Sequence, residues 1–352
     1  MKCGVGDYAS CLAEALRALP DTKVKVLTDI GAAQPDKRKT DDLLPEINGW
    51  KASDIPKIVR IIRRSRPDIV HIQFPSQGYR NRRLPFFLPM LARLAGAAVV
   101  QTWHEYHKKC AFTVYLNGFV SSGIVVVRPD YREVMSPCYR GLVKHREFLF
   151  IPNASTIPSV TLSDKERFDI RSRFNAQSKH LVVYFGFASY PKGIDLLFEV
   201  ADPARHRIVL VCDLDREDPY HRSILDRMAR PDWERSASAT GFLSPDRLAR
   251  LLAAADAVVL PFREGGGVWN TSIHGVTSQG TFLLTTSRET HGYDGTRNIY
   301  FAIPGDLENM RTALDIYAGR KNPDPSPGKN WREIAEEHLR LYRKILIPSR
   351  SK

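Results

Sequence analysis

The stretch from residue 239 to residue 287 constrains the fold more than any other part of the chain. Apolar residues at helical spacing come first, and the run AVVLPF follows Asp256. Short apolar runs rich in β-branched residues are typical of buried parallel strands. A glycine loop, the polar turn WNTS, a second predicted helix and the apolar run TFLLTT come next. The order strand, glycine loop, helix, strand predicts a βαβ unit.

The loop of this unit is a candidate ligand site. Open parallel sheets bind ligands outside the carboxyl ends of their strands. Consecutive glycine amides close to the start of a helix suit a phosphate group. The loop begins at Glu264 and continues with Gly265, Gly266 and Gly267. A flexible surface turn is the alternative explanation for the three glycines.

The order and spacing of these residues resemble the donor domain of GT-B glycosyltransferases, specifically the retaining family 4. There a stretch with the elements GF(V/L)S, AD, V.P and EG(F/G)G binds the nucleotide sugar, and GFLSPDRLARLLAAADAVVLPFREGGG agrees with it at many spaced positions. The resemblance covers nearly the full chain. It implies an α/β protein of the GT-B class, with two Rossmann-like, doubly wound domains facing a cleft. The expected boundaries are 1–155 for the acceptor-side domain, 156–330 for the nucleotide-sugar donor domain, and 331–352 for a helix that crosses back to the first domain.

The resemblance also implies an activity. A retaining glycosyltransferase moves a hexose or similar sugar from a nucleotide-diphosphate sugar to an acceptor hydroxyl, and the expected setting is polysaccharide or glycolipid assembly. The partners are then the nucleotide sugar and a sugar or lipid-linked acceptor. No metal and no cofactor beyond the donor substrate is expected, because Lys192, the glycine-loop amides and helix ends can stabilise the leaving diphosphate.

Site residues follow from the same resemblance. Lys192 stands in the loop where the family binds the donor diphosphate, and Glu264 stands where the family contacts hydroxyls of the donor sugar. His104 falls after the strand AAVVQTW, where the family places a histidine beside the transferred sugar. These three are the predicted catalytic residues. The other predicted donor-binding residues are Gly186, Phe242, Gly265, Gly266, Gly267, Thr271 and Ser272.

A second set of residues is expected on the acceptor side. Gly4 and Gly6 are predicted to form a loop before a helix over Tyr8–Leu19, and Gln73 ends a buried strand. In the family such a glycine loop follows the first strand and approaches acceptor or donor phosphate. No strand pattern precedes Gly4, so we expect either an upstream start or a sheet that lacks its first strand. His104 and His107 are too close in sequence for the zinc pattern His-Glu-x-x-His.

Two departures from the family pattern put its activity in question. The family has a second glutamate on the helix after the glycine loop, where it holds the ribose hydroxyls, and that position is Gly275 here. Phe187 stands where the family often has an arginine. A catalytically impaired GT-B homologue that acts as a binding or regulatory partner is therefore the alternative function.

The distribution of charge along the chain limits the kinds of partner that the protein can bind. The net charge is +13, and Lys plus Arg exceed Asp plus Glu by ten over residues 1–150 (24 against 14) but by only three over the rest (28 against 25). An anionic membrane surface is a candidate partner for the basic half, since Arg80, Arg82 and Arg83 precede FFLPML and Arg60, Arg63 and Arg64 lie on a predicted helix. A core helix with a basic cap explains the first segment equally simply. No recognition helix or stacking-aromatic motif supports nucleic-acid binding.

Five scattered cysteines without pairing and no signal peptide favour a cytoplasmic protein, peripheral at most to the inner face of a membrane.

Overall fold

The computed structural model describes residues 4–32, 42–80, 82–105, 117–144, 146–267, 270–325 and 328–347. The chain divides into two compact units. Unit 1 comprises Met1–Ala154 and Lys329–Lys352, and unit 2 comprises Ser155–Gly328. Each has its own buried apolar core.

Unit 1 is built on parallel strands. Among its described residues, β1 (Val26–Asp29) pairs with β2 (Leu43–Ile47), and a second sheet has the order β3 (Ile69–Phe74), β4 (Ala98–Trp103), β5 (Gly123–Val126) and β6 (Glu147–Phe150). The helices are α1 (Gly4–Arg17), α2 (Ile55–Ser65), α3 (Leu88–Leu94), α4 (Tyr131–Val134), α5 (Pro137–Val143) and, at the far end of the chain, α12 (Trp331–Leu346). Helices α1 and α12 pack together through one apolar cluster. Asn330 caps α12, and its side chain accepts a hydrogen bond from Glu333 N.

Two local predictions in unit 1 are wrong. Gly4 and Gly6 belong to the first turns of α1 and do not form a loop. The apolar face of this helix is buried at Tyr8, Leu12 and Leu16. This packing begins close to the N-terminal end of the helix and stabilises the turns that contain the two glycines. The polar composition of residues 32–48 predicts a loop, but strand β2 lies within this segment. Its LLPEI sequence is too short to show a period, and it is ordered by parallel pairing with β1.

Residues 84–94 lie against the core of unit 1. Leu84 begins a 3-10 turn, Leu88 begins α3, and both are buried with Ala92 in one cluster. Phe87 and Leu94 are the exposed large apolar side chains of this segment among the described residues. This burial agrees with a core helix behind a basic cap and leaves little apolar surface for insertion into a membrane.

Unit 2 is a doubly wound sheet. Over the described residues its strand order is β12 (Gly292–Asp294), β13 (Ile299–Ala302), β11 (Leu283–Thr286), β10 (Ala257–Leu260), β7 (His180–Phe185), β8 (His206–Val211) and β9 (Ala237–Ala239), with only β12 antiparallel. The helices are α6 (Asp164–Arg173), α7 (Ile194–Val200), α8 (Pro219–Met228), α9 (Pro245–Ala254), α10 (Thr271–Thr277) and α11 (Leu307–Tyr317). Strands β8, β10 and β11 are buried along their whole length, as expected when helices cover both faces.

The predicted βαβ unit is confirmed. Ser244 caps α9 by accepting a hydrogen bond from Arg247 N, and Pro245 occupies the first helical position, where its missing N–H costs nothing. The chain then enters β10, crosses through the loop and α10, and returns in β11, which pairs parallel with β10. The glycine loop therefore lies at the carboxyl end of a central parallel strand.

Candidate functional site

The sheet of unit 2 reverses its strand order between β7 and β10. From β7 the chain adds β8 and then β9 on one side, and it adds β10 and then β11 on the other side. The carboxyl edge at such a reversal is where open α/β sheets bind their ligands. Lys192 belongs to the first loop and Glu264 to the second.

Lys192 is positioned by the loop after β7. Tyr190–Lys192 form a 3-10 turn, and Gly193 (φ +67°) then caps α7 in the left-handed region. A Cβ atom on Gly193 would lie 2.2 Å from the carbonyl oxygen of Pro261, so only glycine allows this approach to the end of β10. The Lys192 ammonium lies 4.6 Å from the centroid of the Phe262 ring, a cation–π contact that draws it toward the second loop.

Direct hydrogen bonds join the two loops. Arg263 N donates to Pro191 O (3.0 Å), and the Arg263 guanidinium donates to Tyr190 O (3.1 Å) and pairs with Asp195 at 2.5 Å. Arg263 is therefore occupied in holding the loops together. The structure thus brings two predicted donor-site residues, Lys192 and Glu264, onto adjoining loops.

The glycines of the second loop permit a tight path. Gly265 has φ +82°, and a Cβ on Gly266 would lie 2.4 Å from the Phe262 ring. Gly266 N donates to Thr286 O (2.7 Å) at the end of β11, so this amide is used within the fold. Gly267 O accepts from Asn270 N (3.0 Å), and the Asn270 side chain caps α10 by accepting from Ser272 N. Thr271 and Ser272 form the first turn of α10 and are half-buried.

Glu264 forms an ion pair with Arg288 in this structure. Both side chains are largely exposed, 76% for the glutamate and 64% for the arginine, so water screens the pair and a ligand can displace it easily. Arg288 follows β11 and its backbone lies beside Gly265. This arginine is not among the site residues predicted from the sequence. A cation directly after the strand TFLLTTS was the signal that could have identified it.

An aromatic pair lies at the same carboxyl edge of the sheet. Phe187, 41% exposed, follows β7, and its ring meets Phe242 edge-on at 5.6 Å between centroids. Phe242 follows β9, and its backbone N–H donates to the Asp213 carboxylate (3.2 Å) after β8. Gly186, with φ +127°, ends β7. These loops present flat apolar faces, which suit a planar ring better than a phosphate.

Close packing around α10 explains why residue 275 is a glycine. It lies buried within α10, and a Cβ there would be 2.7 Å from Ile157 Cδ1 and 3.0 Å from Ser155 Oγ. The segment that enters unit 2 therefore fills the space into which a side chain at residue 275 would project. Ribose hydroxyls cannot be held from this position in the observed packing.

The predicted residues of unit 1 form a separate group. His104 directly follows β4, is 8% exposed, and its Nε2 lies 2.9 Å from Gln73 Oε1. The Tyr8 ring of α1 packs edge-on against His104 at 4.7 Å between centroids. Gly4 and Gly6, four and two residues before Tyr8 on the same helix, have no contact with this pair in the observed hydrogen bonds and ring contacts. His107 lies outside the described residues.

The described side chains show no metal centre: no group of three or more His, Cys, Asp or Glu is placed to hold an ion. Within the same residues, no helix is both long enough and apolar enough to cross a membrane.

Solved structures with the same architecture identify the fold. A glycosyltransferase from Rickettsia africae matches with a TM-score of 0.73 and 16% identity, over 98% of this chain and 96% of its own. Sucrose-phosphate synthase from Thermosynechococcus elongatus matches with 0.69 and 17%, over 98% and 94%. HepE from Anabaena, in complex with UDP-glucose, matches with 0.57 and 14%, over 83% and 80%. No family model and no curated protein matches the sequence significantly. The structural matches span both units, and the chain therefore has the GT-B fold of these glycosyltransferases.

Proposed function

We propose that this chain is a retaining glycosyltransferase that moves a sugar from a nucleotide-diphosphate sugar to an acceptor hydroxyl. One observation carries the proposal. Lys192 and the Glu264–Gly267 loop lie on hydrogen-bonded neighbouring loops at the strand-order reversal of unit 2. The similar HepE structure contains UDP-glucose, which makes this class of donor the first to test.

The roles of the residues follow from the charge that develops during transfer. The bond between the sugar C1 and the diphosphate oxygen breaks, the acceptor oxygen bonds to C1, and the acceptor proton is released. Lys192 is proposed to stabilise the negative charge on the departing nucleoside diphosphate, with Arg288 as a second cation once donor binding releases it from Glu264. Glu264 then contacts sugar hydroxyls. We further propose front-face attack with retention, no metal, and His104 as the catalytic residue of unit 1.

Binding of the donor is the direct test. At a hundredfold excess over Kd, UDP-glucose would stabilise the folded chain by about 2.7 kcal/mol, which for a chain of 352 residues corresponds to a rise in Tm of roughly 4 °C. The shift is expected to persist in EDTA. A panel of UDP-, ADP- and GDP-sugars measured by thermal shift identifies the donor. No shift with any nucleotide sugar or nucleoside diphosphate would contradict the proposal.

The impaired-homologue alternative makes a different prediction in the same experiment. It expects stabilisation by the nucleotide sugar but neither transfer nor slow donor hydrolysis, because Gly275 and Phe187 replace a glutamate and an arginine of the family pattern. Release of nucleoside diphosphate, measured with the donor that gives the largest thermal shift, separates the two functions.

An anionic acceptor or membrane surface is proposed to meet the basic face of unit 1. Arg60 and Arg63 line a surface groove with Pro56, Val59 and Arg64. Arg80 is a poor test residue because it bonds Asp29 (3.1 Å), a carboxylate that also accepts from Gly31 N and Gly49 N.

We expect the wild-type chain to float with vesicles that contain anionic lipid and not with neutral vesicles. Arg60→Ala/Arg63→Ala should weaken this binding about 30-fold, since each cation near an anionic surface contributes about 1 kcal/mol. Arg230→Ala/Arg247→Ala removes the same charge from exposed positions of unit 2 and serves as the control. Equal flotation with both vesicle types would reject the electrostatic proposal.

A further inference from the structure

A hydrogen-bonded group of polar side chains extends from His104 into the interior of unit 1. We call it the histidine network; its members are His71, Gln73, Thr102, His104 and Tyr342. Thr102 is fully buried, and His104 is nearly so. The network joins the carboxyl ends of β3 and β4 to helix α12, so three parts of the chain that are distant in sequence fix its geometry.

Four contacts define the network. Gln73 Oε1 lies 2.9 Å from His104 Nε2, and Gln73 Nε2 lies 3.3 Å from His71 Nε2. The Thr102 hydroxyl lies 2.8 Å from the same His71 Nε2, and the Tyr342 hydroxyl lies 2.6 Å from His71 Nδ1. One glutamine amide therefore lies between two imidazole rings, with its oxygen toward one and its nitrogen toward the other.

The chemistry of the amide determines the direction of each bond. An amide oxygen only accepts, so His104 Nε2 carries a proton and donates it; an amide nitrogen only donates, so His71 Nε2 is unprotonated and accepts. A neutral His71 then carries its proton on Nδ1 and donates to the Tyr342 hydroxyl oxygen.

We propose that His71 and Gln73 are positioning residues that hold His104 in the tautomer protonated on Nε2. The two rings then carry opposite tautomers, His71 on Nδ1 and His104 on Nε2, because the amide turns its oxygen toward His104 and its nitrogen toward His71. His104 Nδ1 is left as a hydrogen-bond acceptor. The consequence for sugar transfer rests on the proposed function, but the tautomers themselves do not.

The surroundings keep His71 neutral. Burial and the neighbouring His338 and His104 rings lower the pKa of His71 well below its usual value. The titratable groups that face it from α12 and α1 behave alike: burial lowers the pKa of His338 to about 4 and raises the pKa values of Tyr342 and Tyr8. Protonation of His71 would require the Gln73 amide to turn over. The His71 tautomer should therefore be unchanged between pH 8 and pH 6.

Two-bond proton–nitrogen NMR correlation on the full chain with ¹⁵N-labelled histidine reports which ring nitrogen carries the proton. We expect His71 on Nδ1 and His104 on Nε2, with each ring assigned by loss of its signals in His71→Phe and His104→Phe. The same tautomer on both rings, or His104 protonated on Nδ1, would overturn the proposal. The measurement needs no substrate, so it stands or fails independently of sugar transfer.

Gln73→Glu tests the cause. A carboxylate accepts from both rings, so we expect the His71 proton to move from Nδ1 to Nε2 while His104 keeps its Nε2 proton and its pKa rises. The acidic limb of a kcat/KM profile would then move to higher pH. Gln101→Met is the control, because Gln101 is a buried glutamine of β4 that bonds Ser121 and Trp103 instead. An unmoved His71 proton in folded Gln73→Glu would contradict the mechanism. If this variant does not fold, the wild-type spectrum still decides.

Discussion

Lys192→Met is expected to lower kcat/KM for sugar transfer by roughly 30- to 1000-fold, equivalent to about 2–4 kcal/mol of lost transition-state stabilisation. The substitution removes the ammonium group, whereas methionine keeps an apolar stem of similar length that can still pack on the Phe262 ring. Because charge accumulates on the diphosphate as the C1–oxygen bond breaks, the loss should fall mainly on kcat. Initial rates at several donor concentrations measure both parameters.

A second lysine provides the control for Lys192. Lys165 is exposed on α6, so Lys165→Met removes the same charge from unit 2 at an unrelated position. It should leave kcat/KM within about twofold, while Tm stays unchanged in both variants. If Lys192→Met kept the kcat/KM of the wild type with the best donor, this lysine would be excluded from the diphosphate site. Arg288 would then be the cation to examine.

The sequence contained most of the donor-side fold because local patterns determine it. The run AVVL, the glycines after Glu264 and the helix before Gly280 each have a signature within a few residues, and the structure places β10, its loop and α10 accordingly. The prediction of a loop at Gly4 and Gly6 was wrong because contacts with distant residues determine the structure there. Glycine is compatible with a helix when the packing of Tyr8 and Leu12 stabilises it, and that packing depends on α12, more than 300 residues away.

The missed parts of the site depend on contacts between distant residues. Nothing local relates Glu264 to Arg288, or His71 to Tyr342, because strand order and helix docking bring them together. Phe187 gave no local sign of its partner, since the Phe242 ring comes from a different loop at the same sheet edge. Residue type and position relative to a strand end could suggest candidates, but not their pairing.

Gly275 is the clearest case of a residue that the sequence alone does not explain. The reason for the glycine is its contact with Ile157. The glutamate of the family pattern was expected there, and a glycine suggested lost ribose binding. The structure adds that Ile157 Cδ1 would lie 2.7 Å from a Cβ at this position. The local packing therefore excludes a large side chain at this position, whatever the consequence for the ligand.

Gly275→Glu is accordingly expected to destabilise unit 2 by about 3 kcal/mol or more, since overpacking costs roughly 1–3 kcal/mol and a buried carboxylate adds to it. Urea unfolding of the full chain, followed by circular dichroism, measures the change. Gly275→Ala is the matched control. Its single methyl meets the movable end of Ile157, and helix propensity recovers about 1 kcal/mol, so it should remain within about 1 kcal/mol of wild type.

Combining Gly275→Glu with Ile157→Ala tests the proposed cause. Ile157→Ala alone should cost about 2–5 kcal/mol because it leaves a cavity. If the isoleucine is what excludes the glutamate, the double variant will be less destabilised than the sum of the two single changes, since one removes the atoms that the other displaces. Additive losses would mean that some other contact excludes the glutamate. A Gly275→Glu variant as stable as wild type that bound the nucleotide sugar more tightly would show instead that the helix has room for the carboxylate and that this position can hold the ribose.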